Sequence, residues 1–182
     1  MTKVLVPLAP GFEEIEAVTV VDILRRAGVE VVTAGLLSGP VHASRGVVLV
    51  PDLTLDEALQ QDFGMIVLPG GMPGSEHLKN DARVIALLQR MVANGQYIAA
   101  ICAAPMVLHA AGLLQGKRAT SFPGVLDALP GSHQYLHDAV VVDGKVVTSR
   151  GPGTAMDFAL TLVELLAGKA ARTQVESGLE RC

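Results

Sequence analysis

Short, nearly continuous apolar runs alternate with amphipathic segments along this chain, and this alternation limits the possible folds more than any other feature. Strands are predicted at Lys3–Leu8, Glu30–Ala34, Met65–Leu68, Tyr97–Ile101 and Val146–Ser149. Several of these runs are rich in Val, Ile and Leu, as is typical of parallel strands covered on both faces. The sequence therefore predicts an α/β fold with a doubly wound, mostly parallel sheet, helices on both faces and right-handed crossovers.

Helical periodicity fills the stretches between the predicted strands. Within Glu14–Ala27, apolar residues at 17, 20, 21 and 24 follow the i, i+3, i+4, i+7 spacing of one helix face. Further helices are predicted at Val84–Val92, Met106–Leu114 and Ala155–Leu166. Gly28, Gly95 and Gly168 stand where helix C-caps belong.

Turn and cap signals complete the predicted organisation. Val41–Val50 is expected to form a hairpin or small side sheet, and Asp138–Ser149 a second hairpin that turns at Asp143-Gly144. Thr154 and Asp157 have the spacing of a capping box at the start of the last helix. The residues after Ala171 are expected to fray or to pack on a partner.

Composition narrows the class of protein. A chain of 182 residues can bury one core, so residues 1–182 are expected to form a single domain. No apolar run reaches the length of a membrane span, and the N-terminus is interpreted as a first strand, not a secretory signal. A net charge of -4 with 3% aromatic residues argues against nucleic-acid binding. The two cysteines, Cys102 and Cys182, fit a reducing cytoplasm better than a disulfide framework.

Cys102 lies where a strand-like run meets a helix-like run, within Tyr97–Leu108. A sharp turn there projects the side chain out of the sheet, and the helix N-terminus behind it offers N–H groups and partial positive charge. Both effects favour the thiolate, which is the reactive species. The arrangement is that of a nucleophile elbow without the G-x-S-x-G motif. The alternative is a structural cysteine that packs as a small hydrophobic residue.

Glu16 is the candidate general acid/base. Ligands bind at the carboxyl ends of parallel strands, so three loops should meet Cys102: Ala9–Glu16, Pro69–Gly74 and Arg150–Thr154. Glu16 shares a helix face with Val20 and Ile23, which directs its carboxyl toward the core, where desolvation raises a carboxyl pKa. By contrast, Glu13 and Glu14 are expected to complement the helix dipole.

The Gly70-Gly71 pair permits a tight turn that exposes backbone N–H groups. The N–H groups of Gly71 and Ala103 are candidates for an oxyanion hole beside the cysteine, with an ordinary strand-to-helix turn as the alternative. The segment Gly151–Thr154 is interpreted as a helix-entry turn. Neither a dinucleotide glycine motif nor a P-loop lysine is present.

The five histidines do not supply an obvious partner for Cys102. His133 and His137 are four residues apart but lack a third ligand at metal spacing, so no metal site is predicted. His109 follows Cys102 by nearly two helical turns, too far along the axis for a hydrogen bond. His42 and His77 fall in expected surface segments. A Cys-His-Asp triad cannot be assembled from local sequence, although a distant loop could complete one.

Five ordered motifs resemble the ThiJ/PfpI superfamily, in particular the branch with bacterial YajL and the parkinsonism-associated protein deglycase. They are Ala9–Glu16, Ser44–Gly46, Val67–Gly71, Ala99–Ala104 and Ser149–Thr154. The resemblance implies a flavodoxin-like fold of the class I glutamine amidotransferase type and a homodimer. It also implies an oxidation-sensitive Cys102, a protonated Glu16, and oxyanion N–H groups at Gly71 and Ala103. The pocket residues that it implies are Gly70, Arg25, Arg45 and Pro152.

Two positions depart from patterns in the wider superfamily. The PfpI-type peptidases carry a histidine directly after the cysteine, whereas this chain has Ala103, which weighs against peptide hydrolysis. The mammalian deglycase has a histidine in the segment that matches Thr120–Pro123, whereas this chain has Phe122. A mechanism that needs that histidine as a proton relay is therefore not expected.

The leading hypothesis is a cysteine-dependent, cofactor-free glyoxalase or deglycase that protects against oxidative stress. It would act on glyoxal-type carbonyls or their early protein adducts, with Cys102 attacking the aldehyde carbon and Glu16 moving protons. The main alternative is a redox-sensing stress protein or chaperone without significant turnover, in which the same thiol oxidises. A cysteine peptidase or amidase is the third possibility. The physiological substrate is left open.

Overall fold

A seven-stranded sheet runs through the computed structural model, which describes residues 2–181. Cys182, the second thiol of the chain, lies outside the described residues. The strands are β1 (Lys3–Leu8), β2 (Glu30–Gly35), β3 (Val41–His42), β4 (Val48–Leu49), β5 (Leu53–Thr54), β6 (Met65–Leu68), β7 (Tyr97–Ile101), β8 (Arg118–Ala119), β9 (Gln134–Tyr135), β10 (Val140–Asp143) and β11 (Val146–Ser149). The main sheet has the order β10-β11-β7-β6-β1-β2-β5.

All neighbouring strands of this sheet are parallel except the edge pair β10 and β11. Those two form the predicted antiparallel hairpin, whose turn contains Gly144 at a φ of 63°. The five predicted strands are all present, with β2 one residue longer than expected. The mostly parallel, doubly wound sheet is therefore confirmed.

Helices cover both faces of the sheet. They are α1 (Glu14–Arg26), α2 (Leu55–Ala58), α3 (Gly74–Asn80), α4 (Ala82–Ala93), α5 (Pro105–Ala110) and α6 (Ala155–Ser177). The side chains of Val4 and Val6 join the buried cluster formed with α1 and α6. Leu5, between them, joins the second cluster with α2 to α5 on the other face. Two apolar cores therefore hold one sheet, as expected for strands with apolar side chains on both faces.

The ends of two predicted helices differ from the sequence interpretation. The helix expected at Met106–Leu114 is shorter, because the chain turns at Gly112, whose φ is 76°. In α6, Gly168 interrupts the helix at a φ of 88°, but the chain resumes helical structure as far as Ser177. Val175 is buried against the core, so the expectation that residues after Ala171 fray is wrong.

The predicted capping box at Thr154 is also wrong, because the hydroxyl is used elsewhere. Thr154 Oγ1 donates to the carbonyl of Gly151 at 3.0 Å and lies 2.7 Å from Ser149 Oγ. It therefore stabilises the 3₁₀ turn Pro152–Thr154 that leads into α6.

Two small sheets flank the main one. β3 pairs with β4 in antiparallel fashion, which confirms the side sheet predicted within Val41–Val50. β8 pairs with β9, a contact that no sequence pattern indicated. Within residues 2–181, none of the helices is both long and apolar enough to span a bilayer.

Candidate functional site

Cys102 lies directly after β7, in a left-handed backbone conformation with a φ of 64°. Non-glycine residues seldom adopt this conformation, and it is held here by hydrogen bonds on both sides of the residue. The Cys102 N–H donates to Ser149 O at 3.0 Å, and its carbonyl accepts from the Phe122 N–H at 2.9 Å. The turn leaves the thiol half-buried, three residues before α5 begins. The predicted strand–elbow–helix arrangement is present.

The carboxyl of Glu16 is fully buried beside this elbow. Its Oε2 accepts a hydrogen bond from the Gly70 N–H at 2.7 Å, which ties α1 to the loop after β6. Its Oε1 has no hydrogen-bond partner among residues 2–181. The Cys102 thiol is the side chain that interacts with the carboxyl, although the two do not form a hydrogen bond of good geometry.

Gly70 separates the two candidate catalytic side chains. A Cβ on this residue would lie 2.6 Å from Cys102 Cβ, 2.8 Å from Glu16 Oε2 and 2.9 Å from the carbonyl of Ile101. All three distances are below van der Waals contact, and two of the atoms are fixed by the backbone. Glycine is therefore required here for space, which allows the carboxyl and the thiol to approach each other.

The environment raises the pKa of Glu16 to about 7 from its ordinary 4.5. Burial is the main cause, since a carboxylate loses its hydration there, and the nearby negative charge of Glu13 adds to it. The hydrogen bond from Gly70 and the interaction with Cys102 oppose the rise. The carboxyl is therefore poised to gain and lose a proton near neutral pH.

Burial also raises the pKa of the Cys102 thiol, to about 12, and the charge of the neighbouring Glu16 carboxyl adds to the rise. The N–H groups of Gly71 and Ala103 act in the opposite direction. The prediction that the sharp turn and the helix N-terminus favour the thiolate is therefore wrong, because the thiol is partly enclosed beside a second acid. The two groups lose their protons in separate steps, so between about pH 7 and 12 they hold one proton between them.

The predicted oxyanion N–H groups both lie at the sulfur. The backbone amides of Gly71 and Ala103 both lower the pKa of the Cys102 thiol, as N–H donors near a sulfur do. Gly71 has a φ of 89°, and a Cβ there would lie 2.6 Å from the carbonyl of Gly11, so the turn requires glycine. Two backbone N–H groups thus lie near the thiol of Cys102.

A cavity of about 520 Å³ opens over Cys102. Its polar lining consists of Glu13, Ser44 and Arg45. Its apolar side chains, which together we call the apolar wall, are those of Met72, Met106, Phe122, Val125, Ala128 and Leu129. Gly71, Ala103, Gly124 and Pro152 complete the lining.

Among the predicted pocket residues, Arg45 and Pro152 line this cavity, whereas Gly70 and Arg25 do not. Gly70 instead lies behind the thiol, between Cys102 and Glu16. Arg25 lies nine residues after Glu16 on α1, a rise of about 13 Å along the helix axis. Its guanidinium donates to Val31 O at 2.9 Å and to Asp52 Oδ2 at 3.1 Å. It lines a separate cavity beside α1, so its assignment to the Cys102 pocket was wrong.

Glu14 has a different role from the predicted dipole complementation. It is buried, and its carboxylate accepts from the Arg45 N–H at 2.9 Å and from Ser44 Oγ at 3.1 Å. Glu13, also buried, lies 3.0 Å from the same hydroxyl and lines the cavity. The acidic residues of the first loop therefore hold the Ser44–Arg45 segment over the site.

Sequence reasoning missed the apolar wall. Most of it comes from α5 and from residues 122–129, which contain no helix or strand. The only available signal was the cluster of Phe122, Val125 and Leu129 in a segment otherwise rich in Gly, Pro and Asp. No histidine is among the residues that line the cavity. Over residues 2–181, no group of three or more His, Cys, Asp or Glu side chains is arranged to hold a metal ion.

The fold and the site together define a class of protein: a flavodoxin-like α/β protein with a cysteine elbow and a buried glutamate at the carboxyl edge of the sheet. Residues 2–165 match the profile of the DJ-1/PfpI family. "Protein dj-1beta" of Drosophila melanogaster is 46% identical over 177 residues, covering 96% of this chain and 95% of that protein. The chain belongs to the DJ-1/PfpI family.

Two further comparisons bear on the site. "Glutathione-independent glyoxalase DJR-1.2" of Caenorhabditis elegans is 41% identical over 157 residues, which is 86% of this chain and 83% of the relative. The solved structure described as "Toxoplasma gondii DJ-1, oxidized" has a TM-score of 0.94 and 42% identity, with 98% of each chain covered. The resemblance inferred from the five motifs is thus confirmed at the level of the family.

Proposed function

We propose that this protein is a glyoxalase that converts α-oxoaldehydes, free or as early protein adducts, to α-hydroxy acids by way of Cys102. The observation that carries the proposal is the contact of Cys102 with Glu16 across Gly70, together with the Gly71 and Ala103 amides at the sulfur. A nucleophile, a proton carrier and two N–H donors are what the reaction needs. The relative named a glutathione-independent glyoxalase supports the same chemistry.

The first step forms a carbon–sulfur bond. As the sulfur of Cys102 attacks the aldehyde carbon, the thiol proton passes to the Glu16 carboxylate. Glu16 is protonated after this transfer. The aldehyde oxygen receives hydrogen bonds from the amides of Gly71 and Ala103 as its charge grows, and then takes the proton from Glu16. The product is a neutral hemithioacetal, with Glu16 ionised again.

The second step moves hydrogen within the substrate. The Glu16 carboxylate takes the proton from the former aldehyde carbon and returns it to the neighbouring carbonyl carbon, while the hydroxyl proton moves to the ketone oxygen. This gives a thioester of the α-hydroxy acid. Water, deprotonated by Glu16, then attacks the thioester carbon, the carbon–sulfur bond breaks, and the departing sulfur of Cys102 takes the proton back from Glu16 as the acid is released. For the free substrate, the sum is one aldehyde plus one water to one hydroxy acid, so no external oxidant or reductant is required. An early adduct additionally releases its protein amine or thiol when the sulfur of Cys102 takes that group's place on the carbon.

The test is lactate formation from methylglyoxal. We expect Cys102→Ser and Glu16→Gln each to lower kcat/KM by at least about a hundredfold, which is the usual cost of losing a catalytic nucleophile or acid/base. Cys182→Ser, which removes the other thiol of the chain, is the matched control and should retain wild-type turnover. Lactate formation by Cys102→Ser at the wild-type rate would end the proposal.

A redox-sensing or chaperone function is the second candidate. It is favoured by a half-buried thiol with two amide donors and a neighbouring carboxyl, and by the likeness to a structure described as oxidized. Peroxide would convert the thiol to sulfenic and then sulfinic acid, which a protonated Glu16 would stabilise by a hydrogen bond. Suppression of client aggregation that persists in Cys102→Ala would favour this function over turnover.

Peptidase or amidase activity is the weakest candidate, because no histidine lines the cavity to assist the cysteine. Casein cleavage that is lost in Cys102→Ala would revive it.

We also propose that the protein is cytoplasmic, because the cytoplasm keeps thiols such as that of Cys102 reduced.

We further propose a homodimer. Ile15, Val18 and Val50 expose 55%, 45% and 78% of their surface, and Val18 and Val50 line one shallow cavity beside α1. Such a patch is typical of an interface between copies. Sedimentation should give a dimer for the wild type and a monomer for Val18→Asp, whereas Leu37→Asp, at another exposed apolar position, should remain dimeric.

A further inference from the structure

The cavity over Cys102 is larger and less polar than a three-carbon aldehyde requires. Its volume of about 520 Å³ lies within the range of about 300–1,000 Å³ that is typical of sites for drug-sized ligands. Its charged lining residues, Glu13 and Arg45, come from the first loop and the side sheet, whereas the apolar wall carries no charge. The cavity therefore offers a polar reaction centre and a separate apolar surface.

We infer that this protein prefers α-oxoaldehydes whose ketone carries a bulky apolar group, and that the apolar wall binds this group. The inference rests on the proposed function and names its substrate class. With the aldehyde carbon at the sulfur of Cys102, the substituent on the ketone must occupy the remaining cavity. A methyl group would leave most of the apolar wall in contact with water, whereas a ring would remove that surface from water.

Phe122 is the residue of the wall most firmly linked to the nucleophile. The Phe122 N–H donates to the carbonyl of Cys102 at 2.9 Å. The residue that carries the ring is therefore held to the elbow by a backbone hydrogen bond. Gly151 lies against the ring, because a Cβ added to this glycine would lie 3.3 Å from Phe122 Cδ2. The side chain nevertheless exposes 49% of its surface, which leaves part of the ring free to stack on a substituent.

Met72 and Met106 extend the apolar wall. Met72 is 53% exposed on the loop after β6, and Met106 is half-buried near the start of α5. Methionine adapts to ligands of different shape and contacts aromatic rings favourably. The wall thus suits several apolar substituents without selecting a single one.

The experiment compares cyclohexylglyoxal with methylglyoxal. Both are alkyl ketones, so their aldehydes have similar intrinsic reactivity, and each rate is normalised to hemithioacetal formation with free glutathione. We expect the normalised kcat/KM to be at least about tenfold higher for cyclohexylglyoxal, since even one methylene group in an apolar pocket changes kcat/KM about 10–200-fold. Phe122→Ala should lower this preference at least about fivefold. Leu37→Ala, at an exposed leucine outside the cavity, should keep it.

A second readout does not depend on turnover. Cys102 of the Cys182→Ser protein is alkylated with iodoacetamide or N-benzyliodoacetamide, and the ratio of rates is divided by the same ratio for glutathione. We expect the benzyl reagent to be favoured at least about fivefold, and Phe122→Ala to lose that advantage. Absence of turnover of either aldehyde with a retained benzyl preference would reject the proposed function and keep the apolar subsite. Turnover without a cyclohexyl preference, or a benzyl ratio equal to that of glutathione, would overturn the inference.

Discussion

The Glu16 carboxyl and the Cys102 side chain lie on either side of Gly70. A Cβ added to this glycine would lie 2.8 Å from Glu16 Oε2 and 2.6 Å from Cys102 Cβ. Three segments distant in sequence therefore bring the carboxyl and the thiol together. The Gly70 N–H donates to the same carboxylate oxygen at 2.7 Å, so this residue both spaces the two acids and orients one of them.

Gly70→Ala should disturb this pair by overpacking. We expect a loss of about 1–3 kcal/mol in the free energy of unfolding and at least about a tenfold slower reaction of Cys102 with iodoacetamide. Gly153→Ala is the matched control, because a Cβ there meets no atom within 4 Å and φ is not left-handed. Urea titration and alkylation rates check both effects. Equal stability and reactivity of the two variants would contradict the spacing role of Gly70.

The raised pKa of Glu16 predicts a pH-dependent stability. The folded protein holds a proton on this carboxyl up to about pH 7, whereas the unfolded chain releases it near 4.5. Between these values the folded state binds more protons, so the stabilisation is complete below 4.5 and is lost as pH rises to 7. The loss corresponds to about 3 kcal/mol. In Glu16→Gln this decline should be absent from urea titrations between pH 4.5 and 7.5. An unchanged decline would assign it to other groups.

The same pKa predicts the pH profile of thiol reactivity. Below pH 7 both acids of the pair are protonated, so alkylation of Cys102 should slow about tenfold per pH unit and level off above 7. In Glu16→Gln the step near 7 should vanish. Reactivity should then follow the ionisation of the thiol itself, whose pKa falls below 12 without the Glu16 charge but stays raised by burial. Rates are measured by mass spectrometry in the Cys182→Ser background. Coincident profiles for the two proteins would refute a shared proton.

The elbow and the buried glutamate were predictable because both follow from local pattern. Cys102 joins an apolar run to a helix, and Glu16 occupies an apolar face of α1 that Val20 and Ile23 identify. The pKa of the thiol was not predictable in this way, because burial and the charge of Glu16 outweigh the helix N-terminus and the two amide donors. Those contributions depend on how far three separate loops enclose the sulfur.

The assignment of Arg25 failed for a related reason. The resemblance to the family assigned this residue to the pocket. In the structure its position near the end of α1 places its guanidinium beside Asp52 instead. The apolar wall escaped prediction because residues 122–129 have no periodicity and acquire their role only by folding over Cys102. Side chains whose function depends on contacts between distant loops leave no regular spacing in the sequence.

Glu14 is predicted to support the site through the loop that it holds. Its carboxylate accepts from the Arg45 N–H at 2.9 Å, and Glu14→Ala would leave that amide and Ser44 without this acceptor. We expect a loss of about 1–3 kcal/mol in the free energy of unfolding and a higher KM for the aldehyde, since Ser44 and Arg45 line the cavity. Glu30→Ala makes the same change of charge at an exposed ion pair and should cost less than about 1 kcal/mol with KM unchanged. Urea titration and steady-state kinetics measure the two effects. A Glu14→Ala protein as stable as Glu30→Ala would show that the loop is held by other contacts.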